Sequence, residues 1–537
     1  MKKFKWILLI IVFLWTIYDV QSNVGQVHVF FTGNTNKYSI MWTRDKERST
    51  EAFGEKKQDT DAFNNILVQD EEGNDIKIAE GKESFYSGTF GQNEDRFQKE
   101  VLSYEATFEA HDKFFKIHPE YSSDRKYLKY KIDSDDNYYY IPYTKNTIDQ
   151  QENFSFLSYG DMDINSNAEC TISSIKKTME HEDTSNLQFI IHQGDLGYAY
   201  WGDENRWNEW FSEISTITAK YPYMVSPGNH EFDEQFKAYQ KHFSLIAGNE
   251  SESQSNLYYS WNFANIHFVA LSTEHLKDDR QKKWLIQDLK KVDTQKQPFT
   301  IAYLHRPMYS SNRNHGGHSQ TQIYFESIFV DHHVDLVLNG HVHAYERTCP
   351  INKGKCVDHG PIHVVAGTAG YNSNEMWEES TPKWSLKRNS NHGYLQLFMD
   401  QKKKQLTIQF LENNRVYPGC NPSIFDQFVI SPHPEKLKVE KKPPKDTVKE
   451  EHGKMSASKK EQLYTVLWIL FLIFLVFIAA IIFMITLFTC ELRKYNETRP
   501  DREGYTEVEQ VELDSEEEEH LMNDNLDQLD ILVDDDE

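Results

Sequence analysis

Cysteine, basic charge and uninterrupted apolar runs are all scarce in this 537-residue chain. Five cysteines are too few for a disulfide scaffold, so hydrophobic cores must hold the fold. Lysine and arginine total 58 against 83 acidic residues, a formal net charge of −25. That balance argues against nucleic-acid binding, because a phosphate backbone needs a basic face. The acidity is uneven. Nineteen acidic and four basic residues lie between Glu491 and Glu537, a net of −15, and the remaining body is only mildly acidic.

Two apolar runs stand out against this background. Met1-Lys2-Lys3-Phe4-Lys5 precedes a short one, Trp6 to Ile17, which reads as a signal peptide over residues 1–22 with cleavage near Ser22. The other, 463–489, carries no charge and is long enough to span a hydrocarbon core of about 30 Å as a single transmembrane helix. Arg493 and Lys494 follow it and Lys459 and Lys460 precede it, so local charge does not set orientation. The signal peptide does: a type I protein with its body luminal or extracellular, at a cell surface or in a lysosome-like compartment. Residues 432–460, rich in Lys, Glu and Pro, read as a stalk, and 491–537 as an acidic disordered cytoplasmic tail. Tyr505 to Val508 and Glu517 to Met522 resemble sorting signals for cytoplasmic adaptors. Cys490 reads either as a buried thiol or as a lipidation site.

Between these segments two patterns follow one another. Over 24–145, short runs alternate apolar and polar residues between Gly and Asn/Asp turns, as in Val27 to Phe31 and Tyr127 to Ile132. This predicts an antiparallel β-sandwich. Over 150–431, continuous apolar strands alternate with helix-like stretches, which predicts a layered α/β domain. The expected helices are Ala168–Glu182, Asn205–Lys220, Arg280–Val292 and Gln320–His332.

Five expected strands each run into a chemically loaded turn. Phe154–Tyr159 leads to Gly160-Asp161, Phe189–Ile191 to Gly194-Asp195 and Tyr198, and Tyr223–Val225 to Gly228-Asn229-His230-Glu231. Phe299–Leu304 leads to His305, and Val334–Leu338 to Gly340-His341-Val342-His343. In open α/β folds, strand carboxyl ends converge on one crevice. Mixed oxygen and imidazole donors suit iron, zinc or manganese, and two such ions about 3.5–4 Å apart can clamp a phosphate ester.

These motifs, with Tyr198 three residues after Asp195 and with His305-Arg306-Pro307-Met308-Tyr309, resemble the purple acid phosphatases of the calcineurin-like metallophosphoesterase superfamily. The resemblance covers roughly 24–427 and implies a fibronectin type III-like sandwich ahead of the catalytic domain. It implies a ferric ion on Asp161, Tyr198 and His343, a divalent ion (Fe, Zn or Mn) on Asn229, His305 and His341, and Asp195 bridging them. A metal-bound hydroxide would attack phosphate monoesters, with His230 and His315 contacting substrate and an acidic working range. Where the family carries two adjacent histidines, this chain has Asn314-His315, with His318 as another candidate. Asp163 stands where glycine is usual in that family and reads either as a solvated turn residue or as one that shifts the charge of the site.

Asn153 and Asn249 begin N-glycosylation sequons. Cys349 and Cys356 are close enough to pair, whereas for Cys170 and Cys420 pairing or freedom is left open. Two alternatives remain: a nucleotide phosphodiesterase or pyrophosphatase with the same chemistry, and a catalytically silent receptor ectodomain. Oligomeric state is not legible.

Overall fold

The computed structural model describes residues 24–437, apart from 33–36, 45–64, 70–72, 91–96, 110–111, 118–125, 134, 136, 144–152, 181–185, 245, 247–250, 278, 373–375 and 416–419. The expected signal peptide, transmembrane helix and tail, and nearly all of the stalk, lie outside the described residues. Among the described residues no helix is long and apolar enough to cross a membrane.

The first nine strands build two antiparallel sheets. One runs β1 (Val24–Phe31), β2 (Lys37–Arg44), β6 (Phe97–Glu109), β5 (Lys82–Phe90). The other runs β4 (Asp75–Glu80), β3 (Asn65–Gln69), β8 (Lys126–Ile132), β7 (Phe115–Ile117), with β9 (Tyr139–Pro142) also on β8. Alternate residues such as Ile66 and Val68, or Tyr130 and Ile132, are buried, as a half-buried strand requires.

Beyond them stand two mixed sheets. The first orders β12 (Tyr223–Ser226), β11 (Leu187–Gln193), β10 (Phe154–Tyr159), β22 (Gly393–Asp400), β23 (Gln405–Arg415) and β24 (Cys420–Ile430). The second contains β13 (Tyr259–Phe263), β14 (Ile266–Leu271), β15 (Phe299–Leu304), β16 (Leu336–Asn339), β20 (Ile362–Ala366), β17 (Tyr345–Thr348) and β21 (Ser385–Asn389). β10 through β12 and β14, β15, β16 and β20 run parallel and are buried almost end to end, which explains their unbroken apolar sequences. A pair of two-residue strands, β18 (Ile351–Asn352) and β19 (Lys355–Cys356), makes a small hairpin.

Aromatic side chains join the two sheets. Phe156 stacks on Phe189 at 4.8 Å within the first sheet, and both meet Phe268 of the second edge-on at 5.5 and 5.4 Å. Phe31 of β1 reaches the same cluster, 5.5 Å from Trp261.

The expected helices appear within two residues at each end as α1 (Ser166–Glu180), α2 (Glu204–Thr218), α4 (Arg280–Lys291) and α5 (Ser319–Asp331). In α2, Trp207, Trp210, Phe211, Ile214 and Ile217 form one buried stripe, and Asp203 caps it by accepting from the Asn205 amide. The sequence pattern missed α3 (Asp233–His242), kinked by left-handed Glu234, Gln235 and Phe236. Of the five loaded strands, three belong to the first sheet and two to the second. The last of them starts at Leu336 and not at the expected Val334. Cys349 bonds Cys356, and Cys170 on α1 bonds Cys420 on β24.

Candidate metal centre

The five strand ends converge although two sheets supply them. Asp161, Asp195, Tyr198 and His341 all adopt positive φ, 64°, 54°, 52° and 69°. Left-handed backbone at non-glycine residues costs about 1–3 kcal/mol each and clusters where function demands it. Glycines make the close approach possible. A Cβ on Gly194, whose φ is +83°, would lie 2.7 Å from both the Gly228 nitrogen and His305 Nδ1.

The side chains fall into two touching groups. Tyr198 Oη donates to Asp161 Oδ1 at 3.2 Å and lies 3.1 Å from His343 Nε2, which is 3.4 Å from the same carboxylate. His305 Nε2 lies 3.0 Å from Asn229 Oδ1 and 3.2 Å from Asp195 Oδ1. Donor atoms of Asp195, His305 and His341 all lie within 4.8 Å of one another. Asp161 and Asp195 are almost fully buried, and such carboxylates facing imidazoles form the oxygen–nitrogen donor set that metal ions take. The residues therefore fit bound cations.

Burial alone would raise the Asp195 carboxyl, but the imidazoles of His305 and His230 hold it well below the usual carboxylate range. Burial would lower His305, but Asp195 lifts it to about 10. Burial, then His305 and Arg306, pushes His341 down. Burial and the neighbouring Asp161 and Asp195 raise the Tyr198 phenol.

Among the expected substrate contacts, His230 stands over the site, its ring 4.7 Å from those of Tyr198 and Tyr200. The ring of His315 is 5.1 Å from that of His341. His318 is not brought in; its Nδ1 caps α5 by accepting from the Thr321 amide. Asp163 is not a solvated turn residue. It is 8% exposed, accepts from the Ile164 amide and is ion-paired with Arg206, because α2 packs over that turn. Asn153 is exposed just before β10, and Asn249 lies outside the described residues.

Three neighbours carried no role in the sequence reading. Tyr371 stacks on Tyr198 at 3.7 Å, held by its amide's hydrogen bond to the Asp161 carbonyl. Its signal was Gly367-Thr368-Ala369-Gly370 directly after β20. Buried Glu231 accepts from the amides of Asp195, Leu196 and Gly228, pinning two loops together; burial and Asp195 raise it to about 8. Arg306, tied to Glu274 at 2.9 Å, places Nη1 3.1 Å from His341 Nε2.

The Calcineurin-like phosphoesterase family pattern matches residues 154–345, which holds every one of these donors. Residues 154–345 are a calcineurin-like phosphoesterase domain. The Iron/zinc purple acid phosphatase-like protein C pattern matches 360–426, the stretch that supplies Tyr371. Purple acid phosphatase 18 of Arabidopsis thaliana is 32% identical over 235 residues, 42% of this chain and 53% of that protein. Probable inactive purple acid phosphatase 9 of the same plant is 30% identical over 290 residues, 45% of this chain and 44% of that protein. The aligned part thus spans about half the length of these relatives. The phosphoesterase domain is homologous to those plant proteins. A solved purple acid phosphatase, PPD1 from yellow lupin (Lupinus luteus) seeds, shares the fold with a TM-score of 0.60 at 19% identity, over 78% of this chain and 76% of that one.

Proposed function

We propose that the chain is an acid phosphatase hydrolysing phosphate monoesters with one ferric and one divalent ion (Fe, Zn or Mn). The observation that carries this reading is the two-part donor cluster. Asp161, Tyr198 and His343 touch one another, and His305 touches both Asn229 and Asp195. The first group would hold the ferric ion, the second with His341 the divalent one, and Asp195 would face both. Bound there, the ions would neutralise phosphate charge and acidify a water. His230, set against Tyr198 and Tyr200, would hold the phosphate and pass a proton to the departing alkoxide. His315, its ring 5.1 Å from that of His341, would hold a phosphate oxygen. Stacked Tyr371 fixes the Tyr198 ring and helps exclude water from it.

Purified full-length chain assayed from pH 4 to 8 on p-nitrophenyl phosphate, bis-p-nitrophenyl phosphate and ATP tests this. The monoester should be hydrolysed fastest, with an acidic optimum. A preference for the diester or for the ATP pyrophosphate linkage would favour the phosphodiesterase or pyrophosphatase alternative. A metal-loaded protein without activity on any of them would favour the silent receptor; one relative is named as a probable inactive purple acid phosphatase.

The sequence also supports a type I topology with signal 1–22, span 463–489 and an inward tail carrying adaptor signals. Protease applied to intact cells or sealed vesicles should spare an epitope placed after Asp534 wherever the catalytic domain is on the protease-accessible face. Digestion of that epitope would contradict the topology.

A further inference from the structure

Arg306 makes a contact that a cation bound at the donor cluster would break. It lies two residues beyond the end of β15, next to fully buried His305, and 25% of its side chain is exposed at the rim of the cluster. Glu274 holds one edge of the guanidinium: Nε donates to both carboxylate oxygens, at 2.9 and 3.0 Å. Thr273 braces this pair, its Oγ1 donating to Glu274 Oε1 at 2.8 Å and accepting from the Arg306 amide at 3.1 Å. A planar fork fixed at one edge presents its remaining donors in a set direction. Nη1 lies 3.1 Å from His341 Nε2.

That contact is a hydrogen bond only while Nε2 holds a lone pair, and a neutral imidazole has one lone pair and one N–H. Should His341 take a cation through Nε2, the lone pair is spent on it. Should it take the cation through Nδ1, Nε2 carries the ring proton and is itself a donor. In both cases Nη1 loses this acceptor while Glu274 still holds the guanidinium in place. A charged donor so placed calls for the oxygen of an anion. His315, to which a phosphate oxygen is also assigned, stands against the same histidine, its ring 5.1 Å from that of His341.

We infer, on the basis of the proposed two-cation phosphatase site, that Arg306 donates to a non-bridging oxygen of the bound phosphoryl group and thereby selects monoesters over diesters. A monoester presents three such oxygens and, its second pKa being about 6, close to two negative charges at neutral pH. A diester presents two oxygens and one charge. With two oxygens facing the cations, the monoester would keep one for Arg306, whereas a diester would offer only an esterified, weakly accepting oxygen there. The charge-assisted bond therefore discriminates between the two substrate classes.

Full-length chain, as wild type, Arg306→Gln and Arg306→Lys, would be loaded with iron and zinc and its metal content measured. Orthophosphate binding would then be titrated by calorimetry at pH 7, and hydrolysis of p-nitrophenyl phosphate compared with that of bis-p-nitrophenyl phosphate. Arg306→Gln should keep its metal and bind orthophosphate about tenfold or more weakly. Its kcat/KM should fall about tenfold further for the monoester than for the diester. Arg306→Lys, which keeps the charge, should recover part of the orthophosphate affinity. Undiminished orthophosphate binding by metal-loaded Arg306→Gln, or an unchanged monoester-to-diester ratio, would overturn the assignment. Loss of metal in both variants would also overturn it, by making the arginine a support for His341. Orthophosphate binding is read without turnover, so a metal-loaded but inactive wild type still decides the role of Arg306. A wild type that retains no metal would instead overturn the two-cation site on which this role stands.

Discussion

Four of the seven expected metal ligands sit in left-handed backbone, and that strain is tolerated because neighbouring loops are locked together. Gly228 is one such lock: a Cβ there would collide with Asp195 Oδ1 and its backbone nitrogen. Gly228→Ala should therefore lose bound metal while the far-ultraviolet circular dichroism stays native; full metal occupancy would contradict the packing described. Asp163→Ala removes the more buried of the two carboxylates paired with Arg206, leaving Glu209 3.5 Å from its Nη1 and the Gly197 carbonyl 2.8 Å from its Nε. A loss of about 1–3 kcal/mol in urea denaturation is expected, whereas an unchanged midpoint would restore the solvated-turn reading. At this scale the site residues were legible because each donor follows a glycine or a strand end. Asp163 was misread because its partner lies a helix away, and nothing local announces it. Tyr371 was passed over because the turn after β20, Gly367 to Gly370, carries no carboxylate or imidazole.

Elements with continuous apolar runs were found because burial on both faces writes itself into local composition. β10 is buried at all six positions, and its limits match the sequence expectation. Elements defined by distant partners were not. β22 lies antiparallel to β10, Phe154 opposite Met399, and β24, at the sheet edge, buries only Asp426 and Ile430. The helical period of α3 is broken by its three left-handed residues. The two-sheet arrangement rests on aromatic contacts across the interior, so Phe156→Ala should destabilise by about 3–5 kcal/mol, read from chemical denaturation. A loss below about 1 kcal/mol would show that the sheets are held otherwise. Asp203→Ala should cost about 1 kcal/mol through loss of the α2 cap, measured the same way.

The whole molecule carries a built-in acid sensitivity. His363 on β20 is 1% exposed, neither ring nitrogen has a hydrogen-bond partner, and burial lowers it to about 3. Above pH 6.5 the ring is neutral folded or unfolded, so it contributes no pH dependence there. As pH falls from 6.5 towards 3 the unfolded chain takes the proton first, and stability declines, by about 2 kcal/mol at pH 5. His363→Leu should remove that increment when urea denaturation at pH 7 and pH 5 is compared; an unchanged pH dependence would refute the burial argument. An enzyme working in acid would have to outweigh this loss, and ions held at the donor cluster would be one source of the difference. Metal content and the visible spectrum of purified full-length chain test that cluster most directly. One iron and one further divalent ion per chain are predicted, with a visible absorption band that Tyr198→Phe abolishes; a chain that retains no metal, or a band that survives the substitution, would contradict the assignment.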